Sequence, residues 1–210
     1  MRSKPLKPIL WLAILAMMIL SCAKANAATQ VGAVSRVQGQ CTGVSEGVTR
    51  TLSTGAAVHL AEEISTGGEA RLEIGLDDGT TLTLGENARL VIDRFVYRPR
   101  ESLDELAVST VGAFRFVSGA FKTAASSVSV RTPVALIGVR GTDFWGGPID
   151  GQFGVFLLEG AVSVTNNAGE AVLDAPGEGV NLEGLDVAPG PVTIWPDDKT
   201  ARAFATVTFN

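Results

Sequence analysis

The chain has 210 residues with 17 basic and 22 acidic side chains, one histidine and two cysteines. So few His and Cys exclude the usual zinc ligand sets and a disulfide framework. The acidic balance excludes nucleic acid as a partner, because phosphate binding rests on clustered Lys and Arg.

Residues 1–27 read as an export signal. Arg2, Lys4 and Lys7 precede an apolar run from Ile9 to Leu20, and small residues follow. Twelve apolar residues are too few for a comfortable bilayer crossing. Ala25-Asn26-Ala27 offers small side chains to a signal peptidase, with cleavage after Ala27. Alternatively, Ile19-Leu20-Ser21-Cys22 resembles a lipobox, which would acylate Cys22 and make the product an outer-membrane lipoprotein. The expected location is the periplasm or the outside of the cell, with membrane contact only if Cys22 is lipidated. Removing residues 1–27 takes away Arg2, Lys4, Lys7 and Lys24 and no acid, which leaves 13 basic against 22 acidic residues and a net charge of −9. Cys41 then has no partner in the chain and reads as a small buried side chain.

From Gln30 onward, short period-two runs alternate with turn residues. Val31-Gly32-Ala33-Val34, Val111-Gly112-Ala113-Phe114 and Glu159-Gly160-Ala161-Val162 each enter an apolar strand through Gly-Ala, where glycine relieves a bend. His59 sits in the apolar run Ala57–Ala61 and reads as a strand residue. Leu72, Ile74 and Leu76 lead into Asp77-Asp78-Gly79-Thr80, after which Leu82 and Leu84 resume the alternation; this predicts a hairpin. Asn166-Asn167-Ala168-Gly169 predicts a second hairpin, between Val162-Ser163-Val164 and Val172-Leu173. Tyr97 to Ala107 reads as an exposed loop between two halves. Pro196-Asp197-Asp198 precedes Lys199 to Phe204, which could form a short helix with acids at its positive end. The expected fold is all-β: a compact sandwich, jelly roll or β-roll of short antiparallel strands with glycine-rich turns, over residues 28–190, followed by a tail at 191–210.

Chemistry is sparse along this chain. Asp77-Asp78-Gly79 and Asp197-Asp198 lack the alternating spacing of a calcium loop and read as solvated turns. No cofactor is expected. Glu62-Glu63, Glu86 and Glu159 could supply paired carboxylates to a glycan hydrolase, with Trp145 and Trp195 as the available sugar platforms.

The densest constellation is Ser127 to Trp145. Thr132-Pro133 removes an amide donor and ends or bulges the strand through Val128 and Val130. Gly138 and Gly141 flank Val139-Arg140, and Thr142-Asp143 can cap the amides of the turn. Arg140 is placed to pair with Asp143 or with turn carbonyls, and Phe144 and Trp145 return the chain to the core. Either Arg131 and Arg140 present guanidinium forks to a ligand, or they brace the corner internally. The binding candidates are Arg131, Thr132, Arg140, Gly141, Thr142, Asp143 and Trp145, with the 97–105 loop second.

Thr132-Pro133-Val134-Ala135 followed by Ile137-Gly138-Val139-Arg140-Gly141-Thr142-Asp143-Phe144 resembles the signature of the FecR-type periplasmic domain. Ile64-Ser65-Thr66-Gly67, Ala70-Arg71-Leu72, Leu76 to Thr80 and Leu158 to Val162 stand in the family's order, and the likeness runs from about 31 to 185. The resemblance implies an all-β periplasmic sensing module. In the namesake type that module belongs to a transmembrane regulator which carries an iron-siderophore signal from an outer-membrane transporter to a sigma factor. Here an export signal stands where the cytoplasmic segment and membrane helix would be. The resulting expectation is an exported sensing or binding module that contacts an envelope protein or glycan without catalysis.

Overall fold

The computed structural model describes residues 28–98, 105–120 and 127–210. Those residues form strands β1 Gln30–Gln38, β2 Cys41–Ser45, β3 Val48–Thr51, β4 Ala57–His59, β5 Glu63–Thr66, β6 Arg71–Leu76, β7 Thr81–Leu84 and β8 Arg89–Val96. The second half holds β9 Glu105–Val111, β10 Phe114–Val117, β11 Ser127–Arg131, β12 Leu136–Ile149, β13 Gln152–Asn166, β14 Gly169–Leu173, β15 Glu178–Leu182 and β16 Thr193–Ile194, then helix α1 Asp197–Ala205. The export signal, Cys22 and Ala27 lie outside the described residues.

Every strand joins one curled sheet, ordered β3-β2-β5-β8-β9-β11-β12-β10-β7-β6-β1-β4, with β13 on β12 and with β14 and β15 on β13. The all-β expectation holds. β12 is the hinge of the sheet: its first part pairs with β11 and its second with β10, while β13 follows it along its length. One arm of the sheet runs from β11 to β3 and the other from β10 to β4. Their inward residues, such as Ile64, Leu90, Ile92 and Leu106 from one arm and Leu72, Ile74, Leu82 and Phe116 from the other, merge into a single core.

Two features depart from short antiparallel strands. β12 and β13 run 14 and 15 residues, and β11 lies parallel to β9. The long strands keep their glycines inside rather than at their ends, because rings pack where a Cβ would stand. At Gly154 that atom would lie 2.6 Å from the Trp195 ring, and at Gly146 2.7 Å from the Phe114 ring. The parallel pair arises because the chain crosses to the other arm through β10 before it returns as β11, and a parallel neighbour requires such a crossover.

Both expected hairpins form, β6 with β7 and β13 with β14. Asp78 is not a solvated turn residue. It is buried and accepts hydrogen bonds from the Thr80 amide at 3.1 Å and the Thr80 hydroxyl at 2.5 Å. The 97–107 excursion is also shorter than expected, since Glu105 to Ala107 pair with Val96 to Arg94 as a continued hairpin; residues 99–104 lie outside the described set. Cys41 is buried and free, and its burial pushes the thiol pKa up.

The helix forms, with Asp197 and Asp198 in its first turn and an Arg202 to Asp198 bond of 2.5 Å. It lies on the outer face of the sheet. Trp195, Ala203 and Val207 make a second apolar cluster with Trp145, Ile149 and Phe156, so that both faces of the sheet are buried there. Phe144 enters the main core and its neighbour Trp145 enters the outer cluster, as alternating strand residues must.

Candidate functional site

The Thr132–Ala135 segment closes the β11–β12 hairpin. The Thr132 amide and hydroxyl both donate to the Ala135 carbonyl, at 2.9 and 3.0 Å, and the Ala135 amide donates back to the hydroxyl at 3.0 Å. Thr132 is therefore a buried turn clamp. As the proline argument requires, β11 ends before Pro133.

Nine residues on, between Arg140 and Asp143, β12 carries a bulge where it exchanges β11 for β10. Gly141 has φ +57 and Gly160 across from it has φ +84, both in the left-handed region. A Cβ on Gly160 would stand 2.2 Å from the Gly141 carbonyl oxygen. Gly160→Ala is thus expected to cost about 2 kcal/mol in urea unfolding, by strain and overpacking together.

The polar groups of the bulge are held by hydroxyls. Thr142 Oγ1 accepts from the Arg140 amide at 3.2 Å and donates to the Ala161 carbonyl at 2.8 Å, while the Thr142 amide donates to Ser118 Oγ at 2.9 Å. This corrects the expectation of a guanidinium brace. Nor does Arg140 pair with Asp143: that carboxylate is taken bidentately by Arg115 of β10, at 2.9 and 2.6 Å. The Asp143 hydrogen bond holds the Arg115 pKa above its usual value against the opposing effect of burial. A cross-strand neighbour thus defeats the sequence neighbour, because Arg115 lies in register opposite Trp145, two residues from Asp143 and on the same face.

Trp145, expected on the interaction surface, is fully buried, and Trp195 is 5 % exposed, their rings meeting edge to face at 6.1 Å. Neither is a sugar platform. Gly141, Thr142 and Asp143 belong to the bulge, which leaves Arg131 and Arg140 as the free members of the expected set.

Both arginines are exposed and stand on one face of the sheet. Arg131 is opposite Leu136, and Arg140 follows Leu136 by four residues on the next strand, roughly 14 Å away by strand geometry. Between them the outward residues are small: Ala107, Ser129, Gly138 and Ser163, one on each of four neighbouring strands. Among the described basic residues, the others all have partners. Arg50 and Arg115 hold Glu62 and Asp143, Arg89 and Arg94 hold Glu63 and Glu105, and Arg202 holds Asp150. Arg36 lies over Phe209 and Lys199 over Trp195, Arg71 donates to backbone carbonyls, and Arg98 is also engaged. Arg131 and Arg140 have none.

A second polar cluster is structural and had no legible sequence signal. Glu62 is fully buried and accepts two bonds from Arg50 at 2.8 Å each, one from the His59 amide at 3.1 Å and a contact from His59 Nδ1 at 3.2 Å. Arg50 also donates to the Ala57 carbonyl. Burial alone would raise the Glu62 pKa, and the Arg50 and His59 hydrogen bonds outweigh it and hold the carboxyl below its ordinary value. Among the described residues, no three His, Cys, Asp or Glu side chains gather as a metal site would require.

The family model described as FecR protein matches residues 62–163, from Glu62 to near the end of β13. This stretch is similar to a FecR domain. It takes in the β6–β7 hairpin, the bulge, Arg131 and Arg140, while β1 to β4 and everything from Val164 onward, β14 included, lie outside the match. No curated protein matches the chain. Two crystal structures of a candidate anti-sigma factor from Parabacteroides distasonis, at 1.65 and 2.50 Å resolution, are similar to this chain. Each has a TM-score of 0.53 at 20 % identity over 66 % of this chain. The likeness spans 62 % of that protein's length and shows the fold.

Proposed function

We propose that the FecR-like domain is the sensing or binding part of an exported cell-envelope protein, and that it engages a protein partner, without catalysis, through the outer face of β11 and β12. The observation that carries this reading is the pair of solvent-facing arginines, Arg131 and Arg140, left without partners on one face of the sheet. A guanidinium is a planar five-donor fork suited to carboxylates and carbonyls. The family match supports a signalling module. A protein is favoured over a glycan because Trp145 and Trp195 are both buried where the tail packs on the sheet, which takes them away as aromatic stacking platforms.

Three of the four carboxylates that a hydrolase could use are occupied, which leaves the exposed Glu159 without a second free acid among them. Glu62 is held by Arg50 and His59, Glu63 touches Arg89, and Glu86 accepts from the Glu69 amide. Export rests on the layout of residues 1–27. Cys22→Ala tests the processing route: an unchanged soluble fraction supports cleavage after Ala27, and release from the membrane supports acylation.

The binding test compares wild type, Arg131→Ala and Arg140→Ala for capture of a partner from cell-envelope extract, alongside thermal melts. Both variants are expected to lose capture while stability stays within about 0.5 kcal/mol of wild type, because neither side chain holds any part of the fold. Undiminished capture removes this face from consideration. Cleavage of a glycan panel by metal-free protein would replace the binding reading with the hydrolase one.

A further inference from the structure

Beside Arg131 the same outer face sinks into a depression of about 220 Å³ lined by Arg89, Val91, Val111, Arg131, Thr132 and Pro133 together with Ser109 and Thr110. We infer that this depression receives an aliphatic side chain of an acidic protein segment, whose adjacent carboxylate pairs with Arg131. The inference rests on the proposed reading of the face and names the chemistry of the partner.

Its floor is apolar. Val111 is 49 % exposed, Val91 is half-buried and Pro133 is exposed. The register places these residues side by side, with Arg89 opposite Val111 and with Val91, Ser109 and Arg131 in one row across β8, β9 and β11. The volume falls below the range of about 300–1,000 Å³ typical of small-molecule sites, so the depression suits a side chain better than a whole ligand.

Charge selects the occupant. Residues 28–210 carry 13 basic against 22 acidic residues, yet the rim of this depression is two guanidinium groups. Arg131 has no partner, and Arg89 meets Glu63 only at 3.3 Å, with both side chains largely in solvent, a contact that an incoming carboxylate can replace at little cost. The nearby Asp93 is turned onto the Ser109 hydroxyl at 2.6 Å. A cationic rim around an apolar floor, on an acidic protein, is complementary to a segment in which Asp or Glu alternates with Leu, Ile or Val.

The test is an amide chemical-shift titration of the full chain with two synthetic octapeptides, one alternating glutamate and leucine and one alternating lysine and leucine. The acidic peptide is expected to bind about tenfold tighter and to move the amides of Val91, Val111 and Arg131, with Val111→Asp and Arg131→Ala each weakening it about fivefold or more. Equal binding of both peptides, shifts confined to another face, or indifference to Val111→Asp would overturn the inference. So would shifts that grow with protein concentration alone, which would mean a second copy occupies the site, or shifts produced equally by soluble glycan fragments. Val111→Asp separates this idea from the broader one: if it keeps the acidic peptide while Arg140→Ala loses the envelope partner, the face stands and the depression falls.

Discussion

Replacing Trp145 with alanine is expected to lower the unfolding free energy by about 3–5 kcal/mol, as for other fully buried tryptophans. The ring is fully enclosed between the sheet and α1, meets Trp195 at 6.1 Å, and donates from Nε1 to Thr206 Oγ1 at 3.1 Å. Its loss opens a cavity and leaves the Thr206 hydroxyl one partner short at the point where the tail is fastened. For a domain of this size the melting temperature should fall by roughly 10 °C, with the fluorescence of Trp195 shifting to the red as water reaches the cluster. Trp145→Phe, which keeps most of the volume, should recover more than half of the loss. A Trp145→Ala melt within a degree or two of wild type would mean that the tail does not pack on the sheet in solution.

Arg50→Met should be the second severe change, costing about 3 kcal/mol at pH 7. Removing one partner of a buried pair strands the other charge, and the one-third exposure of the Arg50 side chain places the cost at the lower end of the usual range. The pH dependence carries the sharper test. In wild type the Glu62 pKa is held below its unfolded value, so its contribution is complete above that value, near the ordinary 4.5, and is lost as pH falls through the folded pKa. Without Arg50, burial dominates and raises the pKa, and the folded state then gains protons before the unfolded chain does. The variant should therefore close the gap to wild type as pH falls from 7 to 4 in urea titrations. A gap that stays constant over that interval would show that Glu62 is not the stranded charge.

The contrast among the arginines shows where sequence reasoning succeeds. Thr132-Pro133 was legible as the end of a strand, because a residue without an amide donor cannot continue a ladder. Had that break been taken as a four-residue hairpin loop, register would follow: Arg131 opposite Leu136 puts 127, 129 and 131 on the same face as 136, 138 and 140. The common face of the two arginines was thus within reach of parity alone. The partner of Asp143 was not, because Arg115 lies 28 residues away on a strand that reaches β12 only after the chain has crossed between arms.

Glu62 and Trp145 mark the same limit from the other side. Glu62 directly follows the apolar run Ala57–Ala61 and stands beside another glutamate, and nothing local distinguishes the buried acid from its half-exposed neighbour. What buries it is Arg50 from the adjacent hairpin together with the space above Gly43, where a Cβ would stand 2.2 Å from Glu62 Oε1. Trp145, in an apparent surface corner, is buried because residues 193–207 return to cover the outer face of the sheet there.

By itself the sequence determined the all-β class, both hairpins, the short helix, the break at Pro133 and the FecR likeness, all of which depend on alternation, turn chemistry and motifs between near neighbours. Only the tertiary structure decided which arginine is bonded and which is free, which acid is buried, and which outer face the tail covers. Those outcomes depend on which distant strands meet in register, and a period of two specifies a face without naming what will lie across from it.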